Sequence, residues 1–396
     1  KQSEARRGAC AVYLPVEHDD ILEFLDIGTD GNPIQNLQYG VTVSDTWMEE
    51  MKAGDKSKRK VWAKIIQNRS EIGFPYIMFK DNSNNNSPYK ELGMDITASN
   101  LCSEIQLPTD SYNSFVCCLG SINVLHWDEI KETDAIQTYV YFLNAVMDEF
   151  IVKSETMPGM KRANNFAKEH RAIGLGVLGY HSLFQSKLIE FDSIQAKGLN
   201  AQIFSTIKDR SEIASRKLHK EHGYTSLRNG YANTTLIAIA PTKSSSFIHG
   251  AVSMGIEPIK SNYFIKDLAK SKTVYKNPFL IDELEKYGMN TDKVWKSILK
   301  KDGSVQHLGF PTQAVFKSFV EISPKEIVLQ AAQRQKYIDQ SQSLNLMIDP
   351  SVSAKDINKL YMYAWEEGVK TLYYQFSKSS AQDFARNILE CSSCEG

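Results

Sequence analysis

The chain has 396 residues, 42% of them hydrophobic and 23% charged, so it can bury a large core and is not a disordered polymer. Lys and Arg number 46 against 47 Asp and Glu, and the net charge of -1 offers neither a basic field for nucleic acid nor an acidic tail. The longest apolar runs, such as 236–241, are too short to cross a bilayer, the start carries no signal-peptide core, and six cysteines are too few for a disulfide scaffold.

In chain order, 6–14 reads as a turn running into a strand. Helical periodicity follows over about 44–72, with Ser44 as N-cap before Asp45, Thr46 and Trp47. Residues 76–79 are a short buried strand, and the Asn- and Ser-rich stretch 82–88 is the most loop-like part of the chain. A helix is expected near 133–154, with Ile136, Val140, Leu143, Ala145, Val146 and Phe150 on its apolar side, and a long one over about 193–222. Residues 235–240 (TLIAIA) form a buried-strand pattern ended by Pro241. Helices recur near 279–287, 324–339 and 354–367, and 370–375 (KTLYYQ) reads as a strand. Strands alternating with long helices predict an α/β fold with parallel strands, whose active residues sit in loops at strand ends.

Five segments carry chemistry. In Asn100-Leu101-Cys102-Ser103-Glu104, an extended backbone would turn an amide, a thiol and a carboxylate to one side. A thiol is a nucleophile or hydrogen-atom donor and a carboxylate a base, although a buried structural cysteine is the simpler reading of this segment alone. Cys117 and Cys118 are adjacent, so in a strand only one of them can share a site with Cys102; the alternative is two small core residues. Thr242, Lys243, Ser244 and Ser245 follow a strand and can cradle an anion, or form a generic polar loop. Tyr373 and Tyr374 alone suggest only core packing. Cys391 and Cys394 have C-x-x-C spacing; with no second such pair and no nearby His pair, a tail dithiol that exchanges with other thiols is preferred to zinc.

Taken in order, the set Asn-Leu-Cys-Ser-Glu-Ile, Cys-x-Leu-Gly-Ser-Ile-Asn, Ala-Pro-Thr-x-Ser-Ser-Ser, Leu-Tyr-Tyr-Gln and the terminal cysteine pair closely resembles the large, catalytic subunit of class I ribonucleotide reductases. Arg7-Gly8-Ala9, the run 174–179 (GLGVLG) and 254–258 (MGIEP) look like that family as well, so the resemblance covers essentially the whole chain. It implies a ten-stranded α/β barrel around a finger loop, of which only the later part is present, over 1–376, followed by a flexible redox tail over 377–396.

The resemblance also implies roles. Cys102 carries a transient thiyl radical that takes the 3′ hydrogen of a ribonucleoside diphosphate, Glu104 accepts the 3′-hydroxyl proton, and Asn100 orients the substrate. Cys117 supplies reducing equivalents at the 2′ carbon, and Cys118 packs away from it. Tyr373 and Tyr374 relay the radical from a partner small subunit, which holds the tyrosyl radical and dimetal centre. Thr242, Lys243, Ser244 and Ser245 hold the diphosphate, with Lys243 departing from the Glu or Gly usual in the family. Cys391 and Cys394 re-reduce the active-site disulfide and are recharged by thioredoxin or glutaredoxin. No metal or cofactor is expected in this chain itself. ATP and dNTP effector sites are expected outside it, and a large-subunit homodimer, no nucleic-acid or membrane partner, and a cytoplasmic location are implied. Cys117 lacks its second thiol here. With Lys1 at the start, this suggests either a split large subunit completed by an N-terminal fragment or an incomplete sequence, inactive by itself. The cobalamin-dependent class and a non-catalytic partner-binding remnant are the alternatives; the tyrosine pair argues against the first, and retention of the chemical residues against the second.

Overall fold

The computed structural model describes residues 8–268 and 271–377, so Cys391, Cys394 and nearly all of the expected tail lie outside the described residues. Strands β1 (Ala11–Pro15), β2 (Gln38–Val43) and β3 (Tyr76–Phe79) are parallel neighbours, with Ala11 opposite Gln38 and Gly40 opposite Tyr76. Strands β4 (Leu119–Asn123) and β5 (Gly174–Leu178) form a second parallel pair. A hairpin of β6 (Tyr263–Leu268) and β7 (Ser271–Lys276) is a separate two-stranded sheet. Finally β8 (Leu346–Met347) pairs in parallel with β10 (Gln375–Phe376), while β9 (Thr371–Leu372) runs antiparallel to β3.

Two parallel bridges, Leu175 with Ile237 and Ile239 with Gln342, join these pieces. The result is a row of eight extended segments: β1, β2, β3, 371–376, 341–347, 236–239, β5 and β4. The first three are parallel to one another, the other five likewise, and the two sets meet antiparallel at β3 and β9. The expected ten-stranded barrel is therefore not closed among the described residues, and β1 and β4 are the two edges of the row.

The residues explain the row. Strands β2, β3 and β5 are buried at every position, as strands covered on both faces must be. The main core is joined by a smaller cluster that includes Met78, Tyr89, Ile105, Leu107 and Phe166. A third cluster around Leu284, Trp295, Ile298 and Phe316 makes a satellite unit after the hairpin. Two glycines are required by close approach. A Cβ on Gly40 would sit 2.4 Å from the Tyr13 ring, and one on Gly176 would sit 2.7 Å from the Ala238 carbonyl.

Several local expectations are corrected. The helix expected over 44–72 is two, Asp45–Ala53 and Lys56–Ile72, because Gly54 turns left-handed (φ 118°) and Asp55 caps the second one on Lys58 N at 2.9 Å. The loop expected at 82–88 is helical over Lys80–Asn85; the Asn84 amide bonds the Lys80 and Ile96 carbonyls and ties the turn down. The helix expected to reach 339 stops at Gln335, because the following chain is drawn into the strand row, with Gln340 N bonded to Ile237 O. Residues 235–240 are held by single bridges rather than a regular ladder, and 370–375 is two short strands interrupted at Tyr373 and Tyr374. The helices Ala135–Ser154, Ile194–His222 and Ala354–Glu366 fall where periodicity puts them. Among the described residues, no helix is long and apolar enough to cross a membrane.

Candidate active site

The Cys102 segment is not extended. Ser103 N bonds back to Asn100 O at 3.1 Å, and Ser103 adopts φ 63°, so 100–104 is a tight turn rather than a strand with three side chains on one side. A left-handed serine is held only where its surroundings over-determine it. Here they do. Ser343 Oγ donates to the Cys102 carbonyl at 2.6 Å, with Glu104 Oε2 as a second acceptor 3.2 Å away. Thr371 Oγ1 lies 3.1 Å from the Ser103 carbonyl, and Ser341 N donates to Glu104 O at 2.9 Å. The Asn100 side-chain oxygen accepts from Ile105 N at 3.1 Å, closing the turn. Glu104 is buried, and Cys102 is half-buried against the main core.

From the opposite side, β1 brings Tyr13, whose hydroxyl reaches Asn100 O at 3.5 Å. Burial pushes this phenol well above its ordinary range, and the neighbouring Glu104 and Cys102 add to the effect. Cys117 joins the same group. Burial is the largest cause raising its thiol, and the Glu104 charge is the next. The residue as a whole is nevertheless solvent-exposed. Cys118 turns the other way, as adjacent residues on an extended chain do: its Sγ contacts Leu143 O at 3.6 Å on the Ala135–Ser154 helix, and burial pushes the thiol up to about 11.

Tyr373 and Tyr374 link the short strand that carries Thr371 to the next one, within the extended segment 371–376. Their ring centroids are 4.3 Å apart. A third ring, Tyr76 on β3, lies 4.8 Å from Tyr373 and 5.2 Å from Tyr374, and Phe74 lies 5.1 Å from Tyr374. Tyr373 is buried and Tyr374 half-buried, so the pair runs from the interior towards the surface. The strand is pinned from behind by the buried Arg69, which donates to the Tyr361 hydroxyl (2.6 Å), to the Tyr373 carbonyl (2.8 Å) and to the Pro75 carbonyl. One residue before Thr371, the buried Lys370 ammonium donates to Asn86 O and Asp339 O, and loss of hydration pulls it down to about 7.

The 240–248 loop leaves its strand beside this group. Ile239 N donates to Ser341 O and Ser343 N to Ile239 O, so the loop begins next to the residues that hold Glu104. Thr242 is buried with φ 52°, and its Oγ1 accepts from Gly255 N at 2.7 Å. Lys243, Ser244 and Ser245 open the short Lys243–Ile248 helix and are half-buried. Among the described residues, no three His, Cys, Asp or Glu side chains converge as a metal site.

The structure thus gathers Asn100, Cys102, Glu104 and Cys117, and bonds their turn to the strand of Tyr373 and Tyr374. Sequence reading missed Tyr13, Tyr76, Arg69, Ser341, Ser343 and Thr371. None has a local signature, since each acts on residues far along the chain. Only the polar run 340–343 (QSQS), too hydrophilic for its buried position, could have flagged two of them.

A family model described as the ribonucleotide reductase barrel domain matches residues 1–59, 55–227 and 225–375. The ribonucleoside-diphosphate reductase large subunit of invertebrate iridescent virus 3 is 33% identical, over 94% of this chain and 72% of that protein. Its counterpart in invertebrate iridescent virus 6 is 38% identical over 71% of this chain and 30% of its own length. The solved class Id ribonucleotide reductase alpha subunit of Actinobacillus ureae superimposes with a TM-score of 0.89 at 50% identity, covering 96% of this chain and 72% of that one. The family match runs through nearly the whole chain and through every element that builds the Cys102 turn: the chain belongs to the ribonucleotide reductase large-subunit family.

Proposed function

We propose that this chain is the catalytic part of a class I ribonucleotide reductase large subunit, converting ribonucleoside diphosphates to 2′-deoxyribonucleoside diphosphates through a radical on Cys102. The observation that carries this reading is the turn that sets Cys102 beside the buried Glu104, with Cys117 in electrostatic reach and the tyrosine strand bonded to it.

A ribose C–H bond is not acidic, so hydrogen-atom abstraction has to precede loss of the 2′-hydroxyl. The Cys102 thiol gives its hydrogen atom to an oxidised Tyr373; the S–H bond breaks and the phenolic O–H bond forms. The resulting thiyl takes the 3′ hydrogen of the substrate while the Glu104 carboxylate accepts the 3′-hydroxyl proton and Asn100 orients the sugar. The 2′-hydroxyl then leaves as water. Cys117 and a second barrel thiol supply two electrons and two protons and become a disulfide; Glu104 gives its proton back to the 3′ oxygen, and Cys102 returns its hydrogen to C3′ and is restored by the Tyr373 O–H, which regenerates the oxidised tyrosine. A raised thiol suits Cys117, because it has to keep its proton until it delivers it.

Thr242, Lys243, Ser244 and Ser245 hold the diphosphate at the strand end, with their hydroxyls, the backbone N–H groups of the helix start and one ammonium. Cys391 and Cys394 re-reduce the disulfide by thiol exchange and are recharged by thioredoxin or glutaredoxin. The oxidising equivalent enters at Tyr374 from a small subunit, and the large subunit works as a homodimer. The four described cysteines are all free thiols, in keeping with a cytoplasmic location.

The test uses the full-length large subunit containing this chain, its small subunit and thioredoxin. Cys102→Ser is expected to lower deoxynucleotide formation at least 1,000-fold, on the order of 4 kcal/mol of barrier. Tyr374→Phe should stop turnover while leaving substrate affinity within about twofold, an indifferent change on the free-energy scale. Turnover by Cys102→Ser at the native rate would overturn the reading.

A further inference from the structure

The Cys102 turn and the tyrosine strand are far apart in sequence, yet three hydroxyls join them. Thr371 Oγ1 lies 3.1 Å from the Ser103 carbonyl and 3.2 Å from the Gln342 carbonyl, and it sits 2.7 Å from Ser341 Oγ. Ser343 Oγ is 2.6 Å from the Cys102 carbonyl and 3.2 Å from Glu104 Oε2. The two carbonyls that follow Cys102 and Ser103 are thus each received by a hydroxyl on a different segment of the strand row. One of those segments carries Tyr373 two residues beyond Thr371. All three hydroxyl residues are buried, so water does not compete for the turn.

We propose that Thr371 and Ser343 are positioning residues for the radical step: their hydroxyls lock the left-handed Cys102 turn to the tyrosine strand and so set the approach of the Cys102 thiol to Tyr373. This rests on the radical reading above. Transfer of a hydrogen atom between sulfur and phenolic oxygen needs near contact, and a small displacement of a reacting group costs rate steeply. Ser103 at φ 63° prefers other conformations, so without the Thr371 hydroxyl its peptide is free to relax and carry Cys102 with it. Ser343 has one proton, which the shorter contact assigns to the Cys102 carbonyl. Its lone pairs then remain available to receive an O–H from Glu104 once that carboxylate has taken the substrate proton. The same hydroxyl therefore holds the turn in both protonation states of its neighbour.

The experiment compares Thr371→Val, which keeps the shape and removes the hydroxyl, with Thr371→Ser, which keeps the hydroxyl, and with Ser343→Ala. All are made in the full-length large subunit and assayed with its small subunit and thioredoxin. Thr371→Val is expected to lower kcat at least tenfold with KM for the diphosphate within twofold. Thr371→Ser should return to within threefold of the native kcat. Ser343→Ala should lower kcat by a similar factor, and Cys102 in both hydroxyl-free variants should be alkylated faster by iodoacetamide. Unchanged kcat and alkylation in Thr371→Val overturns the proposal. So does a failure of Thr371→Ser to restore turnover, or a parallel change in kcat and KM, which marks a general packing role. A native enzyme whose turnover survives Cys102→Ser would instead remove the radical reading itself, so the two failures are distinguishable.

Discussion

The Cys102 turn and the 240–248 loop begin side by side, and both contain a non-glycine residue in the left-handed region, Ser103 and Thr242. They are held differently. The turn is fastened by hydroxyls and backbone groups from two other segments of the strand row, and the strand that carries Thr371 is itself bolted to its surroundings by Arg69 and Lys370. The loop is tied through Gly255 N, which donates to Thr242 Oγ1, and its Lys243, Ser244 and Ser245 are half-buried. The contrast fits the two tasks of the proposed reaction. A group that exchanges a hydrogen atom has to be fixed before substrate arrives, whereas a diphosphate can be gathered by groups that settle on binding.

The most severe way to break the fastened side is Arg69→Leu. It removes the donor to the Pro75 and Tyr373 carbonyls in the core and one of the bonds at the Tyr361 hydroxyl, which keeps its bond to Gln375; buried hydrogen bonds lost in this way cost about 1–3 kcal/mol each, so a loss of at least about 2 kcal/mol is expected in urea unfolding. A loss under 1 kcal/mol would show that Arg69 does not hold the strand.

Acid tests both sides together. His170 stacks on Phe166 beside the cluster next to the turn, and His181 Nδ1 accepts from Ile259 N on the segment that follows the loop. Burial pushes them down to about 4 and about 3, so both stay neutral in the folded chain. The unfolded chain takes up protons near 6.5. This stability is therefore complete above pH 6.5 and drains as pH falls towards the folded values. Between pH 6.5 and 5 the expected loss is about 2 kcal/mol per histidine, before most carboxylates titrate. Unfolding midpoints that do not move across that interval would contradict the burial of both rings.

On the loop side, Thr242→Ala should act on binding as well as on folding. A several-fold rise in KM, about 1 kcal/mol, is expected together with a loss of about 1–3 kcal/mol in unfolding, because the Gly255 N–H loses its acceptor. A fall in kcat with unchanged KM would erase the contrast between turn and loop. The smallest effect serves as a control away from both. Ser193→Ala removes the cap on Ala196 N at the start of the Ile194–His222 helix and should cost about 1 kcal/mol with native turnover.

Much of the fold was legible in the sequence because its signals are local. Ser44 and Ser193 cap helices where capping residues precede apolar periodicity, Gly223 ends a helix in the left-handed region, and continuous apolar runs became strands buried on both faces. Gly54 is a local stop signal inside the longer periodicity, and it divides that helix in two. The helix at Lys80–Asn85 could not be read from composition, since its asparagines look like loop residues until Ile96 is brought beside Asn84.

The site divides in the same way. The sequence by itself determined which residues are proposed to carry chemistry: the thiol, carboxylate and amide of 100–104, the cysteine pair, the tyrosine pair and the hydroxyl-rich loop. The tertiary structure alone decided their arrangement. It made 100–104 a turn rather than a strand, set Cys117 towards Glu104 and Cys118 towards Leu143, and placed Tyr76 against the tyrosine pair. The reason is range. A cap or a periodic face is written within a few residues, whereas the hydroxyls of Ser343 and Thr371 meet carbonyls more than two hundred positions away, and only the assembled strand row brings them together.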